Sequence, residues 1–204
     1  MKKLENTTVG HGYELKIGDK TYWFVAVMGT SVMSIYIHIA SALGSKINIL
    51  LGSVGGLKPG MSSGDLIIPT SVIGNDNARM YDRDNKENIN IPDDKLLAKL
   101  RKSLGKTDIK VWEGQTTTCE IMLAETEQDV ADWSKAGMLG VEMEAALFFA
   151  AAKYFKIPAI SLLFVADNLI ENESFLGEEY QQSKAKRELT KQLQYQIGVD
   201  LLIQ

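Results

Sequence analysis

The stretch that most constrains this chain is Ala159-Ile-Ser-Leu-Leu-Phe-Val-Ala166, a nearly unbroken apolar run that stops at Asp167-Asn168. A strand with one wet face alternates apolar and polar residues. This one does not, so it reads as a central strand buried on both faces, as parallel strands are. Upstream, Leu147-Phe-Phe-Ala-Ala-Ala-Lys-Tyr-Phe155 is apolar nearly all round, the pattern of a buried helix. Gly140-Val-Glu142-Met143-Glu144-Ala-Ala146 leads into that helix, and Glu142 and Glu144 are expected in its first turn, where the helix dipole favours acids. A carboxylate at the mouth of a buried helix is costly unless it is paired, so two of them call for a reason. Ligands in open α/β sheets lie beyond the carboxyl ends of the strands. Asp167-Asn168 and the Glu-Met-Glu segment therefore point to one site.

The 204 residues suit one domain spanning 1–204 with an ample core. A net charge of −4, with no run of lysine or arginine beyond the short and acid-balanced Lys184-Ala-Lys-Arg187, argues against a nucleic-acid partner. No apolar run reaches the length of a membrane span, and the N-terminus has two lysines but no apolar core of a signal peptide. With a single cysteine, Cys119, the expectation is a cytoplasmic protein. Only His11 and His38 could accompany Cys119, neither close in sequence, so it reads as a buried structural thiol, and the same inventory disfavours a zinc site.

Along the chain, residues 8–17 and 20–28 read as paired strands about a Gly18-Asp19 turn. A helix from Ser31 to Leu43 carries Ile35, Ile39 and Leu43 as its apolar stripe, and Gly44 is placed to end it. Ile47–Leu51 is a short buried strand running into Gly52-Ser53-Val54-Gly55-Gly56, a glycine-rich turn whose backbone N–H groups, with the Ser53 hydroxyl, suit an anion. Residues 66–73 are one bent strand or a strand pair, and 74–93 a long polar loop. Then come a helix at 94–103, a strand at 108–112, an amphipathic helix at 125–136 and a last helix at 178–203 with Leu189, Leu193, Ile197 and Leu201 in a row. Strands alternating with helices predict an α/β fold on a mixed sheet.

Gly140-Val-Glu-Met-Glu-Ala-Ala146, with a following strand that ends in Ala166-Asp167, resembles the purine nucleoside and uridine phosphorylase superfamily, which also holds the methylthioadenosine and AMP nucleosidases. Leu51-Gly-Ser-Val-Gly-Gly-Leu57 followed by Gly64-Asp-Leu-Ile-Ile-Pro69 is similar to the family's phosphate-side loop and its next strand, in the family's order. The likeness runs from about residue 7 to the C-terminus. It implies a three-layer α/β fold with a twisted mixed central sheet, and a homo-oligomer, dimer or hexamer.

The resemblance also implies roles. Glu144 would hold the ribose 2′ and 3′ hydroxyls, with Met143 packed on the sugar, Glu142 nearby on the 2′ side and Met28 lining the ribose. Asp167 would be the general acid toward the base, which favours a purine because uridine phosphorylases lack an aspartate there. Gly52 and Ser53 would face the phosphate. Thr117 and Asn168 would belong to the base pocket, Thr117 standing where the family often has an aromatic residue. No cofactor is implied, only inorganic phosphate as co-substrate. Two features depart from the pattern: the family's N-terminal Gly-Asp-Pro-x-x-Arg loop has no counterpart, and Leu50 stands where phosphorylases carry arginine. The reading is cleavage of the N-glycosidic bond of purine nucleosides, with phosphate as acceptor. Hydrolysis by a nucleosidase and a truncated, non-catalytic nucleoside-binding relative are the alternatives.

Overall fold

The computed structural model describes residues 2–3, 11–74, 76–171 and 178–203; the expected strand residues 8–10 and the beginning of the family likeness lie outside them. Strands β1 (Lys2–Lys3), β2 (His11–Ile17) and β3 (Lys20–Ala26) form a small antiparallel sheet, with Gly18 at φ 58° in the β2–β3 turn. The larger sheet contains β4 (Asn48–Gly56), β5 (Leu66–Ile73), β6 (Ile89–Asn90), β7 (Val111–Thr118), β8 (Gly140–Glu142) and β9 (Ala159–Asn168), in the order β6-β5-β7-β8-β4-β9. A further antiparallel pairing of β5 with β9 closes it on itself. The β4–β9, β5–β7 and β7–β8 pairs are parallel, and β4–β8 and β5–β6 antiparallel, so the sheet is mixed.

Why β9 reads as continuously apolar is now plain. Ile160, Leu162 and Phe164 face helices α3 (Asp94–Leu104) and α7 (Lys184–Ile203), while Leu163 and Val165 point into the closed sheet with Val54, Met61 and Ile67. On the other flank, α5 (Ala145–Phe155) is buried at every position from Ala145 to Ala152 and packs with α1 (Thr30–Ala42) and α2 (Asp76–Arg79). Helix α4 (Glu127–Lys135) starts from a reciprocal Thr126–Asp129 capping box. A short α6 (Glu178–Gln182) precedes α7, so the single helix expected over 178–203 is two. No helix among the described residues is long and apolar enough to cross a membrane.

Several expectations need correction. Gly52-Ser53-Val54-Gly55-Gly56 is the second half of strand β4, not a turn. Its glycines serve close packing, since Gly55 and Gly56 pair with Val141 and Gly140 on one side and with Asp167 and Asn168 on the other. Residues 66–73 are one strand with a bulge between Pro69 and Ser71, and the strand expected at 108–112 begins instead at Val111 and runs to Thr118. The 74–93 loop contains α2 and β6. In α1 the stripe Ile35, Ile39, Leu43 faces outward, at 44%, 46% and 70% exposure, and Met33 and Ile37 meet the core instead. That helix is apolar on both sides, and periodicity does not say which one is covered.

The α7 stripe is also displaced. Leu189 is exposed, and the first half of the buried face is polar: Arg187, Thr190 and Gln194. These side chains bond the sheet directly. Gln194 donates to the carbonyls of Gly52 at 2.8 Å and Leu162 at 2.6 Å, and the Thr190 hydroxyl donates to the Gly64 carbonyl at 2.7 Å. Beside them Asp65, fully buried, accepts from Lys186 Nζ at 2.8 Å, the Trp112 indole at 3.0 Å and the Ser62 N–H at 3.0 Å.

Candidate active site

The site forms where strands stop. Strand β8 is three residues long and is wedged between the carboxyl ends of β7 and β4: Thr117 and Thr118 lie beside Val141 and Glu142, and Gly55 beside Val141. A Cβ on Gly140 would collide with Val54 and stand 3.0 Å from the Gly55 carbonyl, so glycine is required where these strands cross. Parallel to β4, β9 ends at the same level. A register shift between Val54 and Gly55 sets Gly55 opposite Asp167.

The Glu-Met-Glu segment is therefore not a first helical turn. Glu142 ends β8, Met143 is in the bend, and Glu144 is the residue that caps α5. The Glu142 side chain turns back on the helix start. One carboxylate oxygen accepts from the N–H groups of Glu144 at 2.7 Å and Ala145 at 2.6 Å, and the other accepts from the Thr118 hydroxyl. Thr118 Oγ1 in turn accepts from the Ala146 N–H at 3.0 Å. Burial dominates the resulting acidity. Glu142 is pushed up to about 7 by desolvation, against the pull of these donors, with the Glu144 charge adding to the rise.

Glu144 accepts from the Gly29 N–H, which ties the start of α5 to the start of α1. Gly29 has φ 80°, a conformation in which a side chain would be strained. Burial also raises the pKa of Glu144, and the backbone donors at Gly29 and Met143 oppose the shift. Each helix N-terminus, with its partial positive charge, thus meets its own carboxylate: α5 meets Glu142 and α1 meets Glu144.

A cleft of about 1790 Å³ opens over this arrangement. Its lining includes Met28, Gly52, Ser53, Glu142, Met143, Glu144 and Asp167, seven of the nine residues singled out in the sequence. Met28 is 74% exposed and has no core role. Thr117 and Asn168 do not line the cleft. Thr117 is buried in the ladder between Ile73 and Val141. Asn168 is wholly buried, and its amide donates to the carbonyls of Lys58 at 3.1 Å and Met61 at 2.9 Å while its oxygen accepts from the Ile170 N–H at 3.1 Å.

Sequence reasoning missed Thr118, Thr30 and Glu120. The Glu120 carboxylate accepts from the Thr30 hydroxyl at 3.0 Å and the Asn77 amide at 2.7 Å, one residue beyond Gly29. An acid just past a strand end was the signal that marked Asp167, and it would have marked Glu120 as well. Cys119 is half-buried and donates to Glu125 at 2.9 Å; burial and that neighbouring acid push its thiol above the usual range, away from thiolate character. Among the described residues no group of three metal-ligating side chains occurs.

A closed mixed sheet with carboxylates gathered at its strand ends and helices on both flanks defines a class of α/β enzyme fold that has solved counterparts. The uridine phosphorylase of Vibrio fischeri superposes with a TM-score of 0.85 over 99% of this chain and 82% of its own, at 16% identity, so the likeness is one of fold. The family model of the phosphorylase superfamily matches residues 2–194, and the chain belongs to that superfamily. Among curated relatives, the purine nucleoside phosphorylase DeoD-type of Exiguobacterium sp. is 28% identical over 158 residues, covering 76% of this chain and 65% of that protein. Its counterpart in Exiguobacterium sibiricum is 29% identical, with coverage of 76% and 66%. The chain thus spans just under two thirds of the length of these relatives.

Proposed function

We propose that the chain cleaves the N-glycosidic bond of purine nucleosides, transferring the ribosyl group to inorganic phosphate. The observation that carries this is the single cleft lined at once by Glu144, Met143 and Asp167. Breaking the bond develops positive charge at C1′ and negative charge on the leaving base. Glu144 accepts hydrogen bonds from the ribose diol and its anion stabilises the cation, with Met143 and Met28 against the sugar. Asp167 protonates the departing base, a role that contributes typically 10²–10⁴-fold. The relatives named purine nucleoside phosphorylase support the purine and phosphate parts.

Hydrolysis is the second reading, and one observation favours it. Among the described residues none of the four arginines, Arg79, Arg83, Arg101 and Arg187, lines the cleft, whose only cationic side chains there are Lys20 and Lys46. A phosphate without guanidinium partners binds weakly, whereas water needs none. The outward stripe Ile35, Ile39, Leu43 supports a homo-oligomer, which light scattering tests; a monomer would remove that part.

The test is release of free base from inosine, adenosine, methylthioadenosine and AMP, with and without phosphate. Phosphate-dependent release supports phosphorolysis, and release without phosphate makes the chain a hydrolase. Asp167→Asn is expected to lower release by about 10²-fold or more with an unchanged circular dichroism spectrum. Undiminished turnover would take Asp167 out of the mechanism.

A further inference from the structure

Both oxygens of Glu142 are already used. One receives two backbone N–H groups from the start of α5, and the other receives the Thr118 hydroxyl. All three donors come from the protein, and the side chain is 5% exposed. A carboxylate so engaged offers little to a sugar hydroxyl. Its bonds instead fix the backbone of residues 142–145, which carries Glu144. Thr118 holds the same turn from a second side, because its Oγ1 donates to Glu142 and accepts from the Ala146 N–H. The strand beneath is fixed as well, since the Cys119 N–H donates to the Glu142 carbonyl at 2.8 Å.

We propose that Thr118 and Glu142 are a positioning pair: Thr118 from behind the cleft and Glu142 from its wall set the aim of Glu144, and neither makes the contact to the ribose. The proposal rests on the reading of Glu144 as the sugar ligand. Thr118 does not line the cleft, so any effect of its hydroxyl on nucleoside chemistry passes through Glu142. The hydroxyl is needed both as donor and as acceptor, a combination that serine retains and valine loses while keeping the shape.

The experiment compares Thr118→Val and Thr118→Ser with the wild type on inosine and 2′-deoxyinosine. Misaiming a sugar ligand by a fraction of an ångström is expected to lower kcat/KM for inosine about tenfold or more in T118V, mainly through kcat. The preference for inosine over 2′-deoxyinosine shrinks with it, and T118S stays within about threefold of the wild type. A wild-type kcat/KM and preference in T118V, even with a lowered Tm, would overturn the proposal, and so would a T118S as impaired as T118V. Should T118V not fold, Thr118→Ala carries the same comparison. If the wild type turns over no nucleoside, the catalytic reading fails separately, and the same preference is read from Kd values by calorimetry. An unchanged Kd ratio, or no nucleoside binding at all, then overturns the positioning pair too.

Discussion

Asp65 and Glu142 are both buried carboxylates at strand ends of the same sheet, and each accepts from three donors. What separates them is charge. Asp65 has an ammonium, Lys186 Nζ, at 2.8 Å, whereas the donors on Glu142 are a hydroxyl and two amides, with a second acid, Glu144, as neighbour. An anion neutralised by a cation from another helix is architecture: it pins α7 to the sheet. An anion held by dipoles alone, beside another anion, works against its own burial. That arrangement fixes the backbone of the turn without bringing a cation near Glu144, the proposed sugar ligand.

The largest effect expected from this contrast is at Asp65. Replacing it by alanine leaves Lys186, Trp112 and the Ser62 N–H without their acceptor. It should cost roughly 3–4 kcal/mol, below the full range for a buried pair because Lys186 is half-exposed. Urea unfolding measures the loss, while turnover per folded molecule stays at the wild-type value. A matching fall in turnover would break the division between architecture and site.

Next comes the pH dependence of stability. Glu142 has a folded-state pKa raised from 4.5 to about 7, so the folded chain binds its proton more tightly than the unfolded chain does. Its contribution to stability is therefore greatest at low pH and falls by roughly 3 kcal/mol as pH rises from about 4.5 to about 7. Glu142→Gln removes that slope, and the difference in unfolding free energy between variant and wild type should grow across the same window. A flat difference would mean that burial does not govern the protonation of Glu142.

The smallest effect lies at two hydroxyls outside both networks. Thr116 Oγ1 and Ser161 Oγ are buried with no hydrogen-bond partner among the described residues. Thr116→Val and Ser161→Ala should leave stability unchanged or raise it by up to about 1 kcal/mol in urea titrations. Losses above that would show that these hydroxyls belong to a network like that of Glu142.

The elements easiest to read in the sequence were those whose burial is written into consecutive residues. Residues 159–165 of β9, but for Ser161, and 145–152 of α5 are apolar because each of those runs is buried throughout. The strand ends of the site followed from the same runs, since Asp167 is where one of them stops. What escaped reading depended on distant partners. Glycines at 52–56 suggest a turn, but here they lie in a ladder whose neighbours, 140–141 and 167–168, are far along the chain. The outward stripe of α1 and the polar face of α7 are decided by which segment packs alongside, and Thr118 gained its meaning from Glu142. Asn168 looked like a ligand because it stands at a strand end, yet its amide is committed to the 58–61 turn.

The β4–β9 ladder has a kinetic corollary. It joins Asn48 to Ala159 and Gly55 to Asp167 in parallel, so half the chain is looped out between the strands it unites. Closing such a loop is entropically unfavourable until the whole ladder forms, and contacts of this kind are made late in folding. The α1 and α7 helices can begin locally, but Asp167 meets Gly55 only at the end of the process. A partly folded chain would therefore carry much of its helix content and none of its acid geometry, so ligand binding reports completion of folding more strictly than any measure of secondary structure.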